Sequence, residues 1–321
     1  MVSSPGILKP QQKRAFRRSL LAWFDVDQRL LPWRADHHPY RVWISEIMLQ
    51  QTRVAVVRER YPKFLARFPG LERLAAAKLP EVLAAWSGLG YYRRARALHS
   101  AARQMIATRK GFPRTAEELA LLPGIGRYTA AAIASIAFDQ PCAAVDGNVE
   151  RVLGRLFGIH KPQAWSAASE LLDPLRPGDF NQAMMELGAT ICLPQAPLCA
   201  QCPVFAWCST RAAGVSPPSP VRRKKRIAYR LALRDHSIFL VQRGRDTSLM
   251  PGLWELPQTR PSLSPLLLRL RHAITNTDYQ VSVYAAKTAP ACCGRWVRFA
   301  AVERLPLTGL TQKILRRSRL I

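Results

Sequence analysis

Apolar positions recur with a period near 3.6 from residue 15 to about residue 218, which predicts a succession of helices. The first runs over 15–31 and stops at Pro32. Residues 42–68 predict one long helix, interrupted near Pro62 and closed by Pro69-Gly70. Helices follow over 71–88, 91–109, 116–122, 127–138, 149–157, 164–172 and 180–191, and their alanine content favours the same state. No run before residue 226 alternates as a strand does. Ser216-Pro217-Pro218-Ser219-Pro220 reads as a stiff polar linker, with the basic run Arg222-Arg223-Lys224-Lys225-Arg226 just after it. Beyond it the texture changes. Residues 227–233, 237–242, 279–285 and 295–299 predict strands, Asp235-His236 a turn, and 266–271 and 310–319 helices. The pattern divides the chain into a helical domain over 1–218, a linker at about 212–226 and a small α+β domain over 227–321.

Charge adds a partner class. The chain of 321 residues carries 48 Lys+Arg against 21 Asp+Glu, a net charge of +27. Both parts contribute, with 28 basic against 16 acidic residues over 1–218 and 20 against 5 over 219–321. Such an excess concentrates a polyanion such as DNA or RNA, although a basic proteome would show it too. No run of about 18 apolar residues occurs, so no membrane span is expected. The first 18 residues hold no apolar core followed by a cleavage site, so secretion is not expected.

The chemistry gathers in three places. Leu122-Pro123-Gly124-Ile125-Gly126-Arg127-Tyr128 is a tight hairpin between helical patterns, with glycines that let backbone N–H groups approach a phosphate. Asp146 follows twenty residues after Gly126, in Val145-Asp146-Gly147-Asn148, as a lone carboxylate in an apolar run. It is a candidate catalytic group and equally an N-cap for the helix near Val149. Four of the seven cysteines, Cys192, Cys199, Cys202 and Cys208, lie within 17 residues. That density indicates a reducing compartment and a metal or cluster site rather than a disulfide scaffold. Spacing leaves a four-cysteine zinc site and a [4Fe–4S] cluster both open. Cys142, Cys292 and Cys293 read as packed small residues.

These segments occur in a familiar order. Leu31-Pro32-Trp33-Arg34 comes first, then Ser45-Glu46-Ile47-Met48-Leu49-Gln50-Gln51-Thr52. Trp86-Ser87-Gly88-Leu89-Gly90-Tyr91-Tyr92-Arg93-Arg94-Ala95-Arg96 precedes the hairpin, Val145-Asp146-Gly147-Asn148 and the cysteine quartet. Over roughly residues 20–210 the chain resembles the helix-hairpin-helix DNA glycosylase superfamily, and within it the MutY-type adenine DNA glycosylases. The resemblance implies two helical modules with the active site between them, and a [4Fe–4S] cluster on the four cysteines. It also implies a Nudix-like domain at the C-terminus, where Met250-Pro251-Gly252-Leu253-Trp254-Glu255-Leu256-Pro257 matches. Asp278 is the only acidic residue between Glu255 and Glu303, too few carboxylates for metal-dependent pyrophosphate hydrolysis, so recognition is left to this domain.

Residue by residue, the resemblance makes Glu46 the acid that protonates N7 of adenine and Asp146 the carboxylate that steadies or attacks the anomeric carbon. Tyr128 stands where bifunctional relatives carry a Schiff-base lysine, and a phenol cannot form that imine, so an abasic site without strand cleavage is expected. Tyr128 and Asn148 would organise the Asp146 side. Arg34 and Glu186 would line the base pocket. Gln51 and Tyr91 would enter or wedge the duplex, and Gly124 and Gly126 would hold the phosphate flanking the everted nucleotide. The family's Phe-Ser-His contact with 8-oxoguanine corresponds here to Ile274-Thr275-Asn276. The expected partner is double-stranded DNA containing mispaired adenine, met by a monomer in a bacterial cytoplasm at the nucleoid. The competing readings are a mismatch thymine glycosylase and a non-catalytic iron–sulfur DNA sensor. Glu46 with the appended domain weighs against the first, and the pair of carboxylates against the second.

Overall fold

In a computed structural model, the described residues are 7–109, 111–211, 223–244, 246–247, 249–261, 264–274, 277–286, 288–289 and 292–321. Helices α1 (Pro10–Asp27), α2 (Pro39–Leu49), α3 (Val54–Arg67), α4 (Leu71–Ala76), α5 (Leu79–Ala85) and α6 (Arg93–Thr108) come first. Then follow α7 (Ala116–Ala120), α8 (Arg127–Phe138), α9 (Gly147–Phe157), α10 (Ala164–Leu171) and α11 (Pro177–Thr190). The chain forms two compact units, residues 1–51 with 103–218, and residues 52–102 with 219–321.

The first unit is built on amphipathic and small-residue helices. In α9, Val149, Val152, Leu153 and Leu156 recur at helical spacing and are all buried. They pack with Phe16, Leu20 and Phe24 of α1 and with Phe180, Met184 and Leu187 of α11 in one core. Helix α8 is buried from Thr129 to Ile136, mostly by alanine, so α2 and α11 can both lie close against it. Two glycines of α11 mark the tightest approaches. A Cβ on Gly178 would stand 2.6 Å from the Ser135 carbonyl oxygen, and one on Gly188 would stand 2.6 Å from Asn148 Cβ.

The second unit joins α3–α5 and the start of α6 to a sheet. Its strands are β1 (Arg223–Arg234), β2 (Ser237–Gln242), β3 (Trp254–Glu255), β4 (Gln258–Thr259), β5 (Leu266–Ile274), β6 (Thr277–Ala286) and β7 (Gly294–Arg298). The order is β3-β2-β1-β6-β5, with β4 paired to β1 and β7 to β2. Among the pairings of these described strands, only β1–β6 is parallel. Two helices close the chain, α12 (Phe299–Val302) and α13 (Gly309–Arg317). Leu310, Ile314 and Leu315 of α13 pack with Leu231, Leu240, Val281 and Val283 of the sheet.

Several elements differ from the sequence reading. Residues 71–88, expected as one helix, form α4 and α5 with a break at residues 77–78, and residues 223–226, read as the end of the linker, belong to β1. The helix expected over 42–68 breaks at residues 50–53, where Gln51 takes φ 56°, and Pro62 lies inside α3. An interior proline costs ~3 kcal/mol, and burial of Val57, Tyr61 and Phe64 on one face of α3 offsets it. Residues 266–271, expected as a helix, belong to strand β5. The leucine run hid an alternation in which Leu270 is buried while Arg269 and Arg271 are exposed, and pairing with β6 decides the outcome.

Candidate active site

Helix α2 is buried along most of its length, at Tyr40 and from Val42 through Met48, and carries Glu46 inward with it. Glu46 is only 6% exposed. The Tyr128 hydroxyl, from the first turn of α8, donates to Glu46 Oε2 at 3.0 Å and also lies 3.0 Å from Met185 Sδ. Burial drives the Glu46 carboxyl up to about 7, the Asp146 charge adds to that, and the Tyr128 hydrogen bond and Arg34 charge oppose it. The Tyr128 phenol is held well above its ordinary value, first by burial and then by the charges of Glu46 and Asp146, so it remains a donor.

Asp146 caps α9, and this local role coexists with its proximity to Glu46. Its Oδ1 accepts from the backbone N–H groups of Asn148 at 2.9 Å and Val149 at 2.8 Å, and Oδ2 accepts from Asn148 Nδ2 at 2.9 Å. Burial raises its carboxyl above the usual range, against the pull of those hydrogen bonds and of Arg151. Asn148 is itself fixed, because Arg151 Nη2 donates to its Oδ1 at 2.9 Å. The same guanidinium donates to the carbonyls of Gly188 at 2.6 Å and Cys192 at 2.9 Å. Arg151 had no signal in the sequence beyond its place on α9.

Arg34 and Glu186 come together with a third residue that sequence reasoning missed. Glu186 is 1% exposed and pairs with Arg29 at 2.6 Å and Arg34 at 3.0 Å. Burial opposes its ionisation, but the two arginines outweigh that and hold the carboxyl below its usual range. Glu186 therefore acts on its surroundings by orienting Arg34, which also donates to Gln182 at 3.2 Å and stacks over Phe24. Nothing local in the sequence marks Arg29, whose partner is 157 residues away.

The hairpin joins α7 to α8. Gly124 takes φ 79°, a conformation that favours glycine, and exposed Gly126 is the N-cap of α8 without a side-chain cap. The first N–H groups of α8 are thus presented outward for an anion. Gln51 and Tyr91 both occupy the left-handed region, at φ 56° and 45°, an uncommon backbone for non-glycine residues that concentrates at functional positions. Thr275 and Asn276 lie outside the described residues.

All four cysteines of the quartet line one small cavity of about 30 Å³ beside α9 and α11, with Val152, Leu156, Leu187 and Ile191 as apolar walls. Their loop is tied to α9 through Arg155, which donates to the carbonyls of Leu193 at 2.6 Å and Pro194 at 2.9 Å. Among the described residues no three of His, Cys, Asp and Glu converge on an ion-sized point. In the second unit, Arg53, Arg60, Lys224, Arg271, Lys313 and Arg316 line an open groove of about 900 Å³.

The close contact at Gly188 carries a prediction. Alanine there gains ~1 kcal/mol of helix propensity but drives its methyl into Asn148, so Gly188→Ala is expected to lower thermal stability by about 1–3 kcal/mol net and to slow the reaction by displacing the cap of α9. Calorimetry showing a stabilised variant would contradict this.

Comparison with known proteins agrees with this geometry. Residues 44–177 match the HhH-GPD superfamily base excision DNA repair protein model. The chain is 53% identical over 215 residues to the adenine DNA glycosylase of Homo sapiens, covering 61% of this chain and 39% of that protein. It thus spans about two fifths of the length of such mammalian relatives. It is 34% identical over 258 residues to the adenine DNA glycosylase of Buchnera aphidicola subsp. Schizaphis graminum, covering 75% of this chain and 74% of that one. A solved thermostable thymine-DNA glycosylase superposes with a TM-score of 0.58 and 32% identity, over 63% of this chain and 97% of its own. With its hairpin inside the matched region and its similarity extending over most of a relative's length, the chain belongs to the adenine DNA glycosylases of the HhH-GPD superfamily of base excision DNA repair proteins.

Proposed function

We propose that this protein is a monofunctional DNA glycosylase that everts adenine mispaired with 8-oxoguanine or guanine and hydrolyses its N-glycosidic bond, leaving an abasic site. One observation carries the reading. A buried carboxyl that still holds its proton near neutral pH, Glu46, feels the charge of a second, half-buried carboxylate, Asp146. Adenine leaves poorly as an anion, so the bond breaks when a ring nitrogen is protonated and the positive charge growing on the sugar is countered. Two carboxylates held in different protonation states meet those needs. Glu46 supplies the proton to N7, with the Tyr128 hydroxyl orienting its carboxyl. Asp146 stabilises or attacks the anomeric carbon, held in place by Asn148 and the N-terminus of α9. Arg34, oriented by Glu186, faces the adenine, and the α8 hairpin grips the neighbouring phosphate. Eversion costs a few kcal/mol and is least costly at a mispair.

Cys192, Cys199, Cys202 and Cys208 would hold a [4Fe–4S] cluster. They line one cavity with largely apolar walls, and four thiolates are the donor set such a cluster takes. A cluster there would fix the loop and supply redox capacity. In this reading the protein acts as a monomer in the bacterial cytoplasm, and the Nudix-like domain reads the opposite base.

The test uses duplexes carrying A:8-oxoguanine, A:G and T:G pairs, with free base measured by chromatography and strand breaks scored before and after alkali. Adenine release with breaks only after alkali is expected. Thymine release from T:G, the activity named for the solved neighbour, with adenine untouched would overturn the adenine assignment. Because Tyr128 stands at the imine position, borohydride should trap no covalent protein–DNA product. Trapping in substantial yield would exclude the monofunctional mechanism.

A further inference from the structure

In the second unit, the turn that bears Tyr91 is hydrogen-bonded to the C-terminal domain through the residue next to it. Tyr92 is 3% exposed, and its hydroxyl donates to the Leu307 carbonyl at 2.8 Å, with Ser87 Oγ 3.2 Å away. Leu307 lies in the segment between α12 and α13, and that segment is paired to Trp254. Trp254 N–H donates to the Pro306 carbonyl at 2.9 Å, and Thr308 N–H donates to the Trp254 carbonyl at 2.9 Å. One turn further along α6, Arg96 Nη2 donates at 2.6 Å to the carbonyl of Pro251. Both points of attachment lead to the segment 250–257, the stretch whose sequence resembles a Nudix motif.

The turn itself is strained and cross-braced. Gly88, Gly90 and Tyr91 have φ of 93°, 71° and 45°. Trp86 Nε1 donates to the Gly90 carbonyl at 3.1 Å, and Arg94 donates to the Leu89 and Gly90 carbonyls while lying over the Tyr91 ring. Gly88 also lines the basic groove, together with α3 on one side and β5, β6 and α13 on the other. A buried hydroxyl and a guanidinium thus tie the strained turn, one wall of the groove and the C-terminal domain into a single piece.

We infer that Tyr92 and Arg96 are positioning residues that couple the C-terminal domain to the Tyr91 turn, so that what this domain meets in the opposite strand governs how Tyr91 enters the duplex. The inference rests on the proposed glycosylase reading. Tyr92 touches neither adenine nor its sugar in this scheme. Its effect is on discrimination between partner bases rather than on bond cleavage.

The test uses the full chain and the variants Tyr92→Phe, Arg96→Gln and Arg96→Lys. Amide exchange is followed over 250–257 and 305–308, and single-turnover adenine excision is measured opposite 8-oxoguanine and opposite guanine. Tyr92→Phe keeps the buried ring and leaves the Leu307 carbonyl only the longer contact from the Ser87 hydroxyl at 3.5 Å, so exchange should quicken about tenfold in both segments. The ratio of excision opposite 8-oxoguanine to that opposite guanine should fall about tenfold, with the rate opposite guanine unchanged. Arg96→Gln should act in the same direction, and Arg96→Lys, which retains a donor, should restore most of the ratio. Unchanged exchange and ratio in Tyr92→Phe would overturn the inference. So would faster exchange with an unchanged ratio, since the contacts would then only stabilise the fold. If the unaltered protein releases no adenine from either duplex, the glycosylase reading fails, and with it the discrimination role, while exchange still reports whether the two contacts hold the domain.

Discussion

Replacing Glu46 by glutamine is expected to abolish adenine release and, at pH 8, to make the protein more stable. Glutamine keeps the shape and can still accept the Tyr128 hydroxyl, but it has no proton to give to N7. The chemical step should fall by at least about 10²–10⁴-fold, the usual contribution of a positioned general acid, while affinity for the mispaired duplex persists. The stability change follows from burial. Glu46 ionises near 4.5 in the unfolded chain and near 7 in the folded protein. Below 4.5 both states hold the proton and the full stability is present. Between 4.5 and 7 the unfolded chain gives up the proton while the folded protein keeps it, so stability is lost across that interval and is fully lost once pH has risen through 7. The interval corresponds to about 3 kcal/mol, which glutamine does not lose. Melting curves of Glu46→Gln and the unaltered chain should therefore converge at pH 4 and separate by pH 8. Excision by the unaltered protein should decline as pH rises through about 7. Equal melting at pH 8, or single-turnover rates near those of the unaltered chain, would show that Glu46 is a solvated surface carboxylate with no part in the reaction.

That outcome bears on how far the chemistry can be read from residues alone. Considered locally, Glu46 sits near Gln50 and Arg53 and fits the polar side of an amphipathic helix. Its burial depends on α2 being covered by α8, and α8 can approach only because alanines fill its face. Local periodicity marks each helix and does not say which faces meet. The hairpin, the Asp146 cap and the cysteine quartet were legible because each is encoded within a few residues, by glycine conformation, by N-cap chemistry and by thiol density. The Arg29–Glu186–Arg34 cluster was only partly legible, since its partners are separated by about 150 residues and arginine before a proline turn carries no periodic signal. Strand β5 was misread for a related reason. A short leucine run is ambiguous until its neighbour is known, and its neighbour β6 supplies the hydrogen bonds that settle it. The break at Gln51 was misplaced because proline is the more conspicuous breaker, whereas a left-handed glutamine has no local sequence signal.

Asp146 caps α9 and, in the proposed reaction, also counters the charge on the sugar, and substitutions separate the two roles. Asparagine caps a helix about as well as aspartate, so Asp146→Asn should retain α9. The fit is imperfect, because Arg151 fixes the Asn148 amide with its NH₂ toward residue 146, and either orientation of the new amide sets one donor against another. That mismatch costs on the order of 1 kcal/mol, and removing a carboxylate that burial disfavours offsets part of it. Net stability should therefore change by less than about 1 kcal/mol. Catalysis loses far more, since the other carboxylate of α9, Glu150, is paired with Lys161 at 3.1 Å. Excision should fall by about 10²–10³-fold or more, as when a preorganised electrostatic group is removed. Asp146→Ser, a good cap with neither charge nor reach, should be as inactive while melting close to the unaltered protein. Asp146→Ala should be equally inactive and lose a further ~1 kcal/mol with the cap. Thermal unfolding alongside single-turnover excision of adenine separates the two contributions. If Asp146→Asn unfolded at much lower temperature yet excised normally per folded molecule, Asp146 would be a cap alone, and the counter-charge for the sugar would have to come from another group.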